Sequence, residues 1–318
     1  MMKKTFLLFV ALLPLAVTSF AADSPKVVAS IRPIHSLVAG VMQGVAEPQL
    51  LVKGGGSPHG YVLRPSEARL LAEADLVVWV GHNLESFLEK PLETVAKDAR
   101  QLELSEALEG SLLPVRTGGT WESHMRHHDE AEHHHEDAEH HQDGDEETKY
   151  NPHLWLSPKL AQLIVEETAQ ALAAIDPGNS GIYQHNADQL QQQLQQLDRD
   201  LAAMLAPVKT VPYVVFHDAY HYFEAAYGLN AVGSITIDPE RKPGVKRLLA
   251  MREKIKTLEA RCVFSEPQFE PKLVATITEG SNARTGQLDP VGTDLVVGPE
   301  LYFQLLRALA EDLVQGLQ

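Results

Sequence analysis

The sequence predicts an α/β protein of two lobes, each with a parallel β-sheet covered by helices on both faces. Three observations support this prediction. Short Val- and Leu-rich runs alternate with helical patterns, the alternation occurs in two separate blocks, and a long leucine-spaced helical pattern lies between them. With 318 residues and 44% hydrophobic content, the chain is large enough to bury two cores of ordinary size.

The first 21 residues are expected to be a secretory signal peptide. Lys3 and Lys4 precede an apolar run from Phe6 to Val17, and small residues up to Ala21 offer a cleavage site. The apolar run is shorter than the roughly 20 residues that span a bilayer, and no Cys follows it to carry a lipid anchor. We therefore expect an exported protein without a membrane span once the signal peptide is removed.

The first block, residues 22–176, contains short apolar runs that are typical of buried parallel strands. These predicted strands are Lys26–Ile31, Gln49–Lys53 and Asp75–Val80. A helix is expected over Arg64–Ala74, with Pro65 near its start, where proline is favourable. This alternation predicts the N-terminal lobe.

Between the two blocks, residues 177–207 predict one long amphipathic helix from Ser180 to about Leu205. Leucines recur there at spacings of four, three, four and four, which places them on one helix face. They are Leu190, Leu194, Leu197, Leu201 and Leu205. This helix could lie on the surface of one lobe or connect both lobes, since a rise of about 1.5 Å per residue gives it sufficient length.

The second block, residues 208–318, repeats the alternation of strands and helices. Its predicted strands are Val211–Phe216, Ala231–Ile237 and Arg261–Ser265, and its predicted helices are Pro243–Ala260 and Pro271–Ser281. Because strands that alternate with helices form parallel sheets covered on both faces, this block predicts the C-terminal lobe.

The net charge of the chain excludes several classes of partner. The sequence has 27 basic and 43 acidic residues, a formal net charge of −16, and such a surface repels nucleic-acid phosphates and anionic lipid. We therefore expect no nucleic-acid partner and favour cations as ligands. The single cysteine, Cys262, excludes an intramolecular disulfide and a Cys-rich zinc finger, and its place in a predicted strand indicates an inert buried thiol.

The histidines are unevenly distributed, because eight of the 15 fall in the low-complexity segment Trp121–Lys149. This segment has eleven acidic residues and almost no apolar ones, so it is expected to be a disordered loop. Tracts rich in imidazoles and carboxylates favour weak binding of several metal ions, and a solvated acidic loop without a role is the alternative. The eight residues are His124, His127, His128, His133, His134, His135, His140 and His141.

Three other histidines are candidates for a tight site on rigid elements. His59 lies in the stretch Gly54–Gly60 between a strand and a helix, His153 follows the low-complexity segment, and His217 ends a predicted strand. Ligands of open α/β sheets bind beyond the carboxyl ends of the strands, so His59 and His217 fit a cleft with one ligand on each lobe. Taken singly, each fits a hydrogen-bonded structural role better, because their spacing matches no short zinc motif.

Five motifs follow one another along the chain after the signal peptide. They are Gly55–Ser66, Asn151–Pro158 (Asn-Pro-His-Leu-Trp-Leu-Ser-Pro), Phe216–Tyr220 (Phe-His-Asp-Ala-Tyr), Phe264–Phe269 (Phe-Ser-Glu-Pro-Gln-Phe) and Leu288–Gly292. Together these motifs resemble the ZnuA-type zinc-binding receptors of bacterial ABC importers. The resemblance implies two α/β lobes joined by one long helix, with the metal held in the cleft between them.

The resemblance also implies a ligand set and a function. It assigns His59, His153 and His217 as metal ligands and Asp289 as the fourth, a position that water or another carboxylate can fill instead. It equates residues 121–149 with the histidine- and acid-rich loop of the family. The implied protein is a monomeric periplasmic receptor, not an enzyme, that delivers Zn²⁺ to a membrane permease driven by a cytoplasmic ATPase.

The ligand chemistry favours zinc independently of the resemblance. Three imidazoles with a carboxylate or water form the tetrahedral site that suits Zn²⁺. Mn²⁺ prefers oxygen-rich octahedral sites, and related manganese receptors carry Glu where this chain has His217, so both observations favour zinc. A receptor for manganese or another transition metal is the alternative. Copper binds such nitrogens at least as strongly, so ligand type alone does not exclude it.

Two further classes fit part of the pattern. A secreted zinc hydrolase also uses three protein ligands and an open fourth position, but the sequence contains no His-Glu-x-x-His and no Gly-x-Ser-x-Gly motif. A periplasmic zinc buffer would use the histidine-rich segment as its main metal centre. Growth on chelated medium separates a buffer from an importer, because only the loss of an importer starves cells of zinc.

Overall fold

The computed structural model describes residues 24–117, 121, 150–236, 239–240, 243–269 and 272–318. The predicted signal peptide and the eight histidines of the low-complexity segment lie outside these residues, so the statements about them remain predictions. Within the described ranges, every helix is too short or too polar to cross a bilayer.

The N-terminal lobe is built on a sheet of four parallel strands. The strands are β1 (Val27–Ala29), β2 (Gln49–Leu50), β3 (Leu76–Trp79) and β4 (Arg100–Glu103). They lie in the order β2-β1-β3-β4, which places the two wholly buried strands, β1 and β3, at the centre. The helices of this lobe are α1 (Arg32–Val41), α2 (Pro65–Ala72), α3 (His82–Glu85), α4 (Glu89–Thr94) and α5 (Leu104–Ala107).

Two long helices, α6 (Pro158–Ile175) and α7 (Ser180–Leu205), pack side by side and lead to the second lobe. The bounds of α7 match the prediction, and its five regularly spaced leucines are all buried. Near its start, Leu190 contacts α1 so closely that a Cβ atom on Gly40 would lie 2.8 Å from the Leu190 side chain. Near its end, Asp200 accepts a hydrogen bond from Arg307 in the C-terminal helix. These contacts support α7 as a connection between the lobes.

The C-terminal lobe repeats the architecture of the first. Its strands are β5 (Tyr213–Val215), β6 (Ala231–Ser234), β7 (Cys262–Ser265) and β8 (Arg284–Gln287), and its helices are α8 (His221–Tyr227), α9 (Val245–Thr257), α10 (Lys272–Thr278) and α11 (Leu301–Leu317). The strands are parallel and lie in the order β6-β5-β7-β8. Two sheets of this kind, covered by helices, confirm the predicted fold class.

One apolar core runs through both lobes. The same cluster of buried side chains contains Val27 of β1, Leu197 of α7, Tyr213 of β5 and Leu305 of α11. Alternate strand residues point to the opposite faces of the sheets, so Val28 and Val214 belong to two smaller clusters on the outer faces. Because the main core is continuous, large movements of one lobe against the other would expose apolar surface.

The sequence did not predict two strands, β4 and β8. Both lie at sheet edges, and β4 and β8 have mostly exposed or half-buried side chains instead of an apolar run. An edge strand pairs on one side only and needs no apolar face, so its hydrogen bonds leave little trace in the residue pattern.

Candidate metal centre

Three predicted ligands, His59, His153 and His217, meet between the lobes. The Nε2 atom of His153 lies 3.2 Å from Nε2 of His59 and 3.1 Å from Nε2 of His217. Among the described residues, these three form the only group of at least three His, Cys, Asp or Glu side chains placed to hold a metal ion. Tetrahedral zinc with Zn–N bonds of about 2.0–2.1 Å separates its ligand nitrogens by about 3.3 Å, close to the observed distances.

His59 is presented by the glycine-rich loop between β2 and α2. Gly54 has φ +92°, a left-handed conformation that glycine adopts without strain. Gly55 lies against the C-terminal lobe, where an added Cβ would come within 2.4 Å of Cγ2 of Thr293. The backbone N–H of His59 donates to Ser57 Oγ at 3.3 Å. The glycines therefore let this loop approach the other lobe closely enough to bring His59 into the cluster.

His153 is oriented by Asn151. The Asn151 Oδ1 atom accepts from the His153 backbone N–H at 3.0 Å and contacts Nδ1 of the ring at 2.9 Å. The amide nitrogen of Asn151 donates to the carbonyl of Asp218 at 2.6 Å, which fixes Oδ1 as the acceptor. The ring must therefore carry its proton on Nδ1 and leave Nε2 with a free lone pair.

His217 follows the carboxyl end of β5 and is oriented by Glu266, which follows β7. The ring Nδ1 lies 2.7 Å from Glu266 Oε1, and the Glu266 side chain is almost completely buried. Because a carboxylate accepts hydrogen bonds, Nδ1 of His217 carries a proton, and the neutral ring would offer the lone pair of Nε2 to a metal. Histidines that bind metals commonly donate their other N–H in this way.

The Nε2 atoms of His153 and His217 lie 3.1 Å apart. In the neutral rings each Nε2 carries a lone pair, and a metal cation between the two nitrogens would relieve their repulsion. Burial, with smaller contributions from His217 and His59, lowers the pKa of His153 well below its usual value. Burial, with a smaller contribution from His217, lowers the pKa of His59 to about 3. The cluster is thus suited to a metal cation near neutral pH.

Asp289, the predicted fourth ligand, lies outside this cluster. Its Oδ1 atom accepts from Gln268 Nε2 at 2.8 Å and from the Val291 N–H at 3.1 Å. Its Oδ2 atom accepts from the Thr293 N–H at 2.5 Å. Its role as a ligand remains a prediction, one that requires the carboxylate to move closer to the three histidines, whose ligand atoms all lie within 4.8 Å of one another.

The three imidazoles line a cavity of about 10 Å³, close to the volume of one water-sized sphere. Its other walls include Trp155, Glu266 and Gln268. A second cavity of about 670 Å³ shares Gln268 with the first and is lined by residues of both lobes, including Tyr61 and Lys272. The small cavity fits an ion, and the larger one adjoins it in the cleft.

The residues on either side of the histidine-rich segment are held close to this centre by hydrogen bonds and ion pairs. The Tyr222 hydroxyl accepts from the Leu113 N–H at 3.1 Å and donates to the Asn151 carbonyl at 2.8 Å. Arg116 forms ion pairs with Asp218 and Glu224. Sequence reasoning missed the roles of Asn151 and Arg116, because Asp218, which both of them contact, lies far away along the chain.

The other described candidates have structural surroundings. Nε2 of His35 lies 2.9 Å from the Pro48 carbonyl, and Nε2 of His185 lies 3.1 Å from Gln189 on the surface of α7. His221 is not part of the cluster; it is the first residue of α8, four residues after His217, and the two histidines do not share a helix. Cys262 is buried, and burial raises the pKa of its thiol to about 12, as expected for an inert thiol.

Comparison with known proteins agrees with this geometry. A protein of Brucella abortus (strain 2308) named high-affinity zinc uptake system protein ZnuA is 43% identical over 313 residues, which cover 93% of this chain and 92% of that protein. The protein of the same name from Yersinia pestis is 37% identical over 305 residues, 94% of this chain and 93% of that one. The periplasmic zinc binding protein TroA from Treponema pallidum shares the fold, with a TM-score of 0.76 at 21% identity over 92% of this chain and 99% of that chain.

The family assignment rests on most of the chain. The sequence model of the ZnuA family matches residues 27–316, and this family is described as zinc-uptake complex component A, periplasmic. The relatives at 43% and 37% identity carry the same family name. The chain therefore belongs to the ZnuA family.

Proposed function

We propose that this chain is a periplasmic receptor that captures Zn²⁺ in the cleft and delivers it to the membrane permease of an ABC importer, driven by a cytoplasmic ATPase. The main support is the cluster of three imidazoles, in which Nε2 of His153 lies 3.2 Å from Nε2 of His59 and 3.1 Å from Nε2 of His217. The names of the relatives from Brucella abortus and Yersinia pestis, which describe high-affinity zinc uptake, agree with this proposal. The proposed ligands are His59, His153 and His217.

Zinc is favoured over manganese by the composition of the cluster. Its three potential ligands are all imidazole nitrogens, and no carboxylate oxygen belongs to it. Mn²⁺ prefers oxygen ligands in octahedral geometry, whereas Zn²⁺ is satisfied by three nitrogens and one further ligand. Copper remains a competitor in a test tube, because it binds imidazole at least as strongly.

Capture would use ligands that are already in place. The rings of His153 and His217 are held by Asn151 and Glu266, so their lone pairs need little reorganisation when the ion arrives. We propose lobe boundaries at 22–176 and 208–318, with 177–207 as the connection. Metal in the cleft would favour a closed arrangement, and the continuous core would limit the movement to a small one.

The proposal assigns no chemical reaction to the receptor. It also makes the histidine-rich segment an accessory and not the main metal centre, which distinguishes a receptor from a buffer. A strain that lacks the protein should stop growing on chelated medium and recover when zinc is added. Growth equal to that of the parent strain at every chelator concentration would contradict delivery to an importer.

The binding site itself is tested by substituting one ligand at a time. His153→Ala and His217→Ala should each weaken zinc binding by more than about 100-fold, beyond the effect of changing an outer partner. Competition with a zinc chelator measures the affinity, and circular dichroism confirms that the variants fold. The control is His185→Ala, an exposed histidine on α7, which should bind zinc like the parent. Unchanged affinity in both cleft variants would overturn the assignment.

A further inference from the structure

The cleft contains more space than a metal ion needs. The cavity of about 670 Å³ shares Ser57, Gln268 and Phe269 with the 10 Å³ cavity that the three histidines line. Its walls come from the loop 56–64 of the N-terminal lobe and, in the C-terminal lobe, from residues near β5, α9 and α10. Sites for small molecules commonly have volumes of about 300–1,000 Å³. The size of this cavity therefore fits an organic molecule beside the metal centre.

The described walls of the 670 Å³ cavity carry more positive than negative charge. Arg64 and Lys272 are cationic, and Glu240 is the only acidic side chain among the described residues that line it. The whole chain has the opposite balance, with 43 acidic and 27 basic residues. A path that admits only a bare metal cation would be favoured by acidic walls, whereas an excess of positive charge attracts an anion. The charge of the walls thus favours an anionic occupant.

The two cationic side chains lie on opposite sides of the cleft. Arg64 directly precedes α2, and its backbone N–H donates to the buried carboxylate of Glu67 at 2.8 Å, which fixes its place on the N-terminal lobe. Lys272 is the first residue of α10 in the C-terminal lobe. Both residues are exposed, so their charged groups lie towards the mouth of the cavity. A molecule with two or more carboxylates can therefore contact one cation on each lobe.

Aromatic rings contribute much of the remaining wall. The rings of Phe216 and Phe269 stack with their centroids 4.7 Å apart. The hydroxyl of Tyr61 donates to Glu67 Oε1 at 2.7 Å, so its polar end is already occupied. Binding sites for small molecules commonly combine apolar walls with a few charged groups that orient the ligand. This cavity offers carbon surface for the skeleton of a ligand and two cations for its carboxylates.

From this shape and these charges we propose that the 670 Å³ cavity binds a small organic polycarboxylate beside the metal centre, with its carboxylates on Arg64 and Lys272. The role of this anion rests on the proposed function: carboxylates also bind Zn²⁺, so the receptor can admit zinc together with such an anion. A zinc ion on the three histidines adds two positive charges next to the cavity. Zinc and the polycarboxylate should therefore strengthen the binding of each other.

The test is calorimetric titration of citrate, a tricarboxylate, into the zinc-free and the zinc-loaded protein. The parent should bind one citrate, and loading with zinc should tighten this binding by about fivefold or more. Arg64→Gln and Lys272→Gln should each weaken it by about tenfold, because each removes a charge-assisted hydrogen bond. Lys272→Arg keeps the charge and should keep most of the affinity. The matched control is Lys256→Gln, an exposed lysine of α9 outside the cavity walls, which should bind citrate like the parent.

Two results would overturn the proposal. One is a parent protein that binds no citrate at millimolar concentration, with or without zinc. The other is citrate binding that is equally strong in the parent and in both Gln variants, since the anion would then lie elsewhere. Inorganic phosphate tests the chemical class on the zinc-free protein, and binding of phosphate as tight as that of citrate would contradict a polycarboxylate site.

Failure of this proposal differs from failure of the proposed function. Zinc affinity in citrate-free buffer, measured by competition with a chelator, should not fall in Arg64→Gln or Lys272→Gln, because neither residue belongs to the histidine cluster. If His153→Ala leaves zinc affinity unchanged, the proposed function fails, and citrate binding by the zinc-free parent still decides whether the cavity is an anion site.

Discussion

The guanidinium of Arg116 binds the carboxylate of Asp218, with Nε 3.0 and 3.1 Å from the two carboxylate oxygens, although 102 residues separate the two positions. Asp218 directly follows His217, and its carbonyl accepts the hydrogen bond from Asn151, which orients His153. Arg116 also pairs with Glu224 at 2.7 Å, and its guanidinium stacks 3.5 Å above the Trp121 ring centroid. Arg116 thus connects Trp121, at the start of the histidine-rich segment, to Asp218, which follows His217 and helps Asn151 to orient His153.

Replacing Arg116 should destabilise the fold. Arg116→Leu leaves the carboxylates of Asp218 and Glu224 largely buried without their cation, and breaking a buried pair in this way costs about 3 kcal/mol. Burial already raises the pKa of Glu224, so the second substitution Glu224→Gln should restore part of the loss. Urea unfolding at pH 7 measures both effects. The control Arg252→Leu removes a more exposed pair with Glu279 and should change the unfolding free energy by less than about 1 kcal/mol.

Glu266 should influence zinc affinity through His217 alone. The carboxylate orients the His217 ring and places a negative charge behind it through the 2.7 Å contact with Nδ1. Glu266→Gln keeps an acceptor but removes the charge, so it should weaken zinc binding by about tenfold, and Glu266→Ala should weaken it by up to about 100-fold. Chelator competition gives the affinities, with the exposed Glu253→Gln as control. An equal effect of the Gln and Ala variants would argue against a role for the charge.

Glu85 should make the stability of the N-terminal lobe depend on pH. The side chain is fully buried, and its Oε2 accepts from the Val80 N–H at 2.7 Å and the Gly81 N–H at 3.3 Å. Burial raises its pKa from 4.5 to about 7, opposed by hydrogen bonds that lower it. The folded state then holds a proton that the unfolded state has already lost above pH 4.5, so this contribution to stability is full below that pH and is lost as pH rises through 7.

The corresponding measurement compares the parent with Glu85→Gln between pH 5 and pH 8. Glutamine keeps an acceptor for the two backbone N–H groups but cannot ionise. The parent should therefore lose up to roughly 3 kcal/mol relative to the variant across this range, the free-energy equivalent of the pKa difference. Parallel stability curves for the two proteins would show that Glu85 does not titrate in this range.

The sequence predicted the proximity of the three histidines better than the residues that orient them. Their positions after strands gave His59 and His217 a location in the cleft, and the resemblance implied their roles as ligands. His153 lies in a loop, and only its motif, Asn151–Pro158, identified it. Glu266 and Asn151 stand in recognised motifs, but Glu266 acts on His217 of another segment, and the Asn151 amide is oriented by the carbonyl of the distant Asp218. No local pattern encodes such contacts, and the same reason hides the partners of Arg116.

The continuous core predicts that the connection between the lobes is costly to weaken. Leu194 of α7 is completely buried in the cluster that spans both sheets. Leu194→Ala should lower the free energy of unfolding by about 2–5 kcal/mol, since it removes buried methyl groups and leaves a cavity. The neighbouring Gln193 is exposed, so Gln193→Ala serves as the control and should have little effect. Separate unfolding transitions for the two lobes in the parent protein would contradict a shared core.

Deleting residues 122–147 should remove weak, multiple metal binding and leave one tight zinc site per molecule. The proposed ligands His59, His153 and His217 all lie outside the deleted range. The chain can close across the gap, because Pro114 and Tyr150 are paired in an antiparallel bridge and residues 115–121 and 148–149 remain to link them. Calorimetric titration with zinc of the parent and the deletion variant gives the number and affinity of both classes of site.

The tight cleft site and the weak sites of the histidine-rich segment should differ in affinity, because only the ligands of the cleft site are ordered before zinc binds. The rings of His153 and His217 are oriented before zinc arrives, whereas ligands on a low-complexity acidic segment must be ordered at the expense of entropy for each ion. The segment should therefore matter when zinc is scarce, by raising the rate of capture, and this effect should fade as salt screens its charge. A variant with the eight histidines changed to asparagine keeps the acidic charge, so it separates metal binding from electrostatic attraction. If the deletion abolished the tightest site, the segment would be the real metal centre, and the assignment of the three cleft histidines would be wrong.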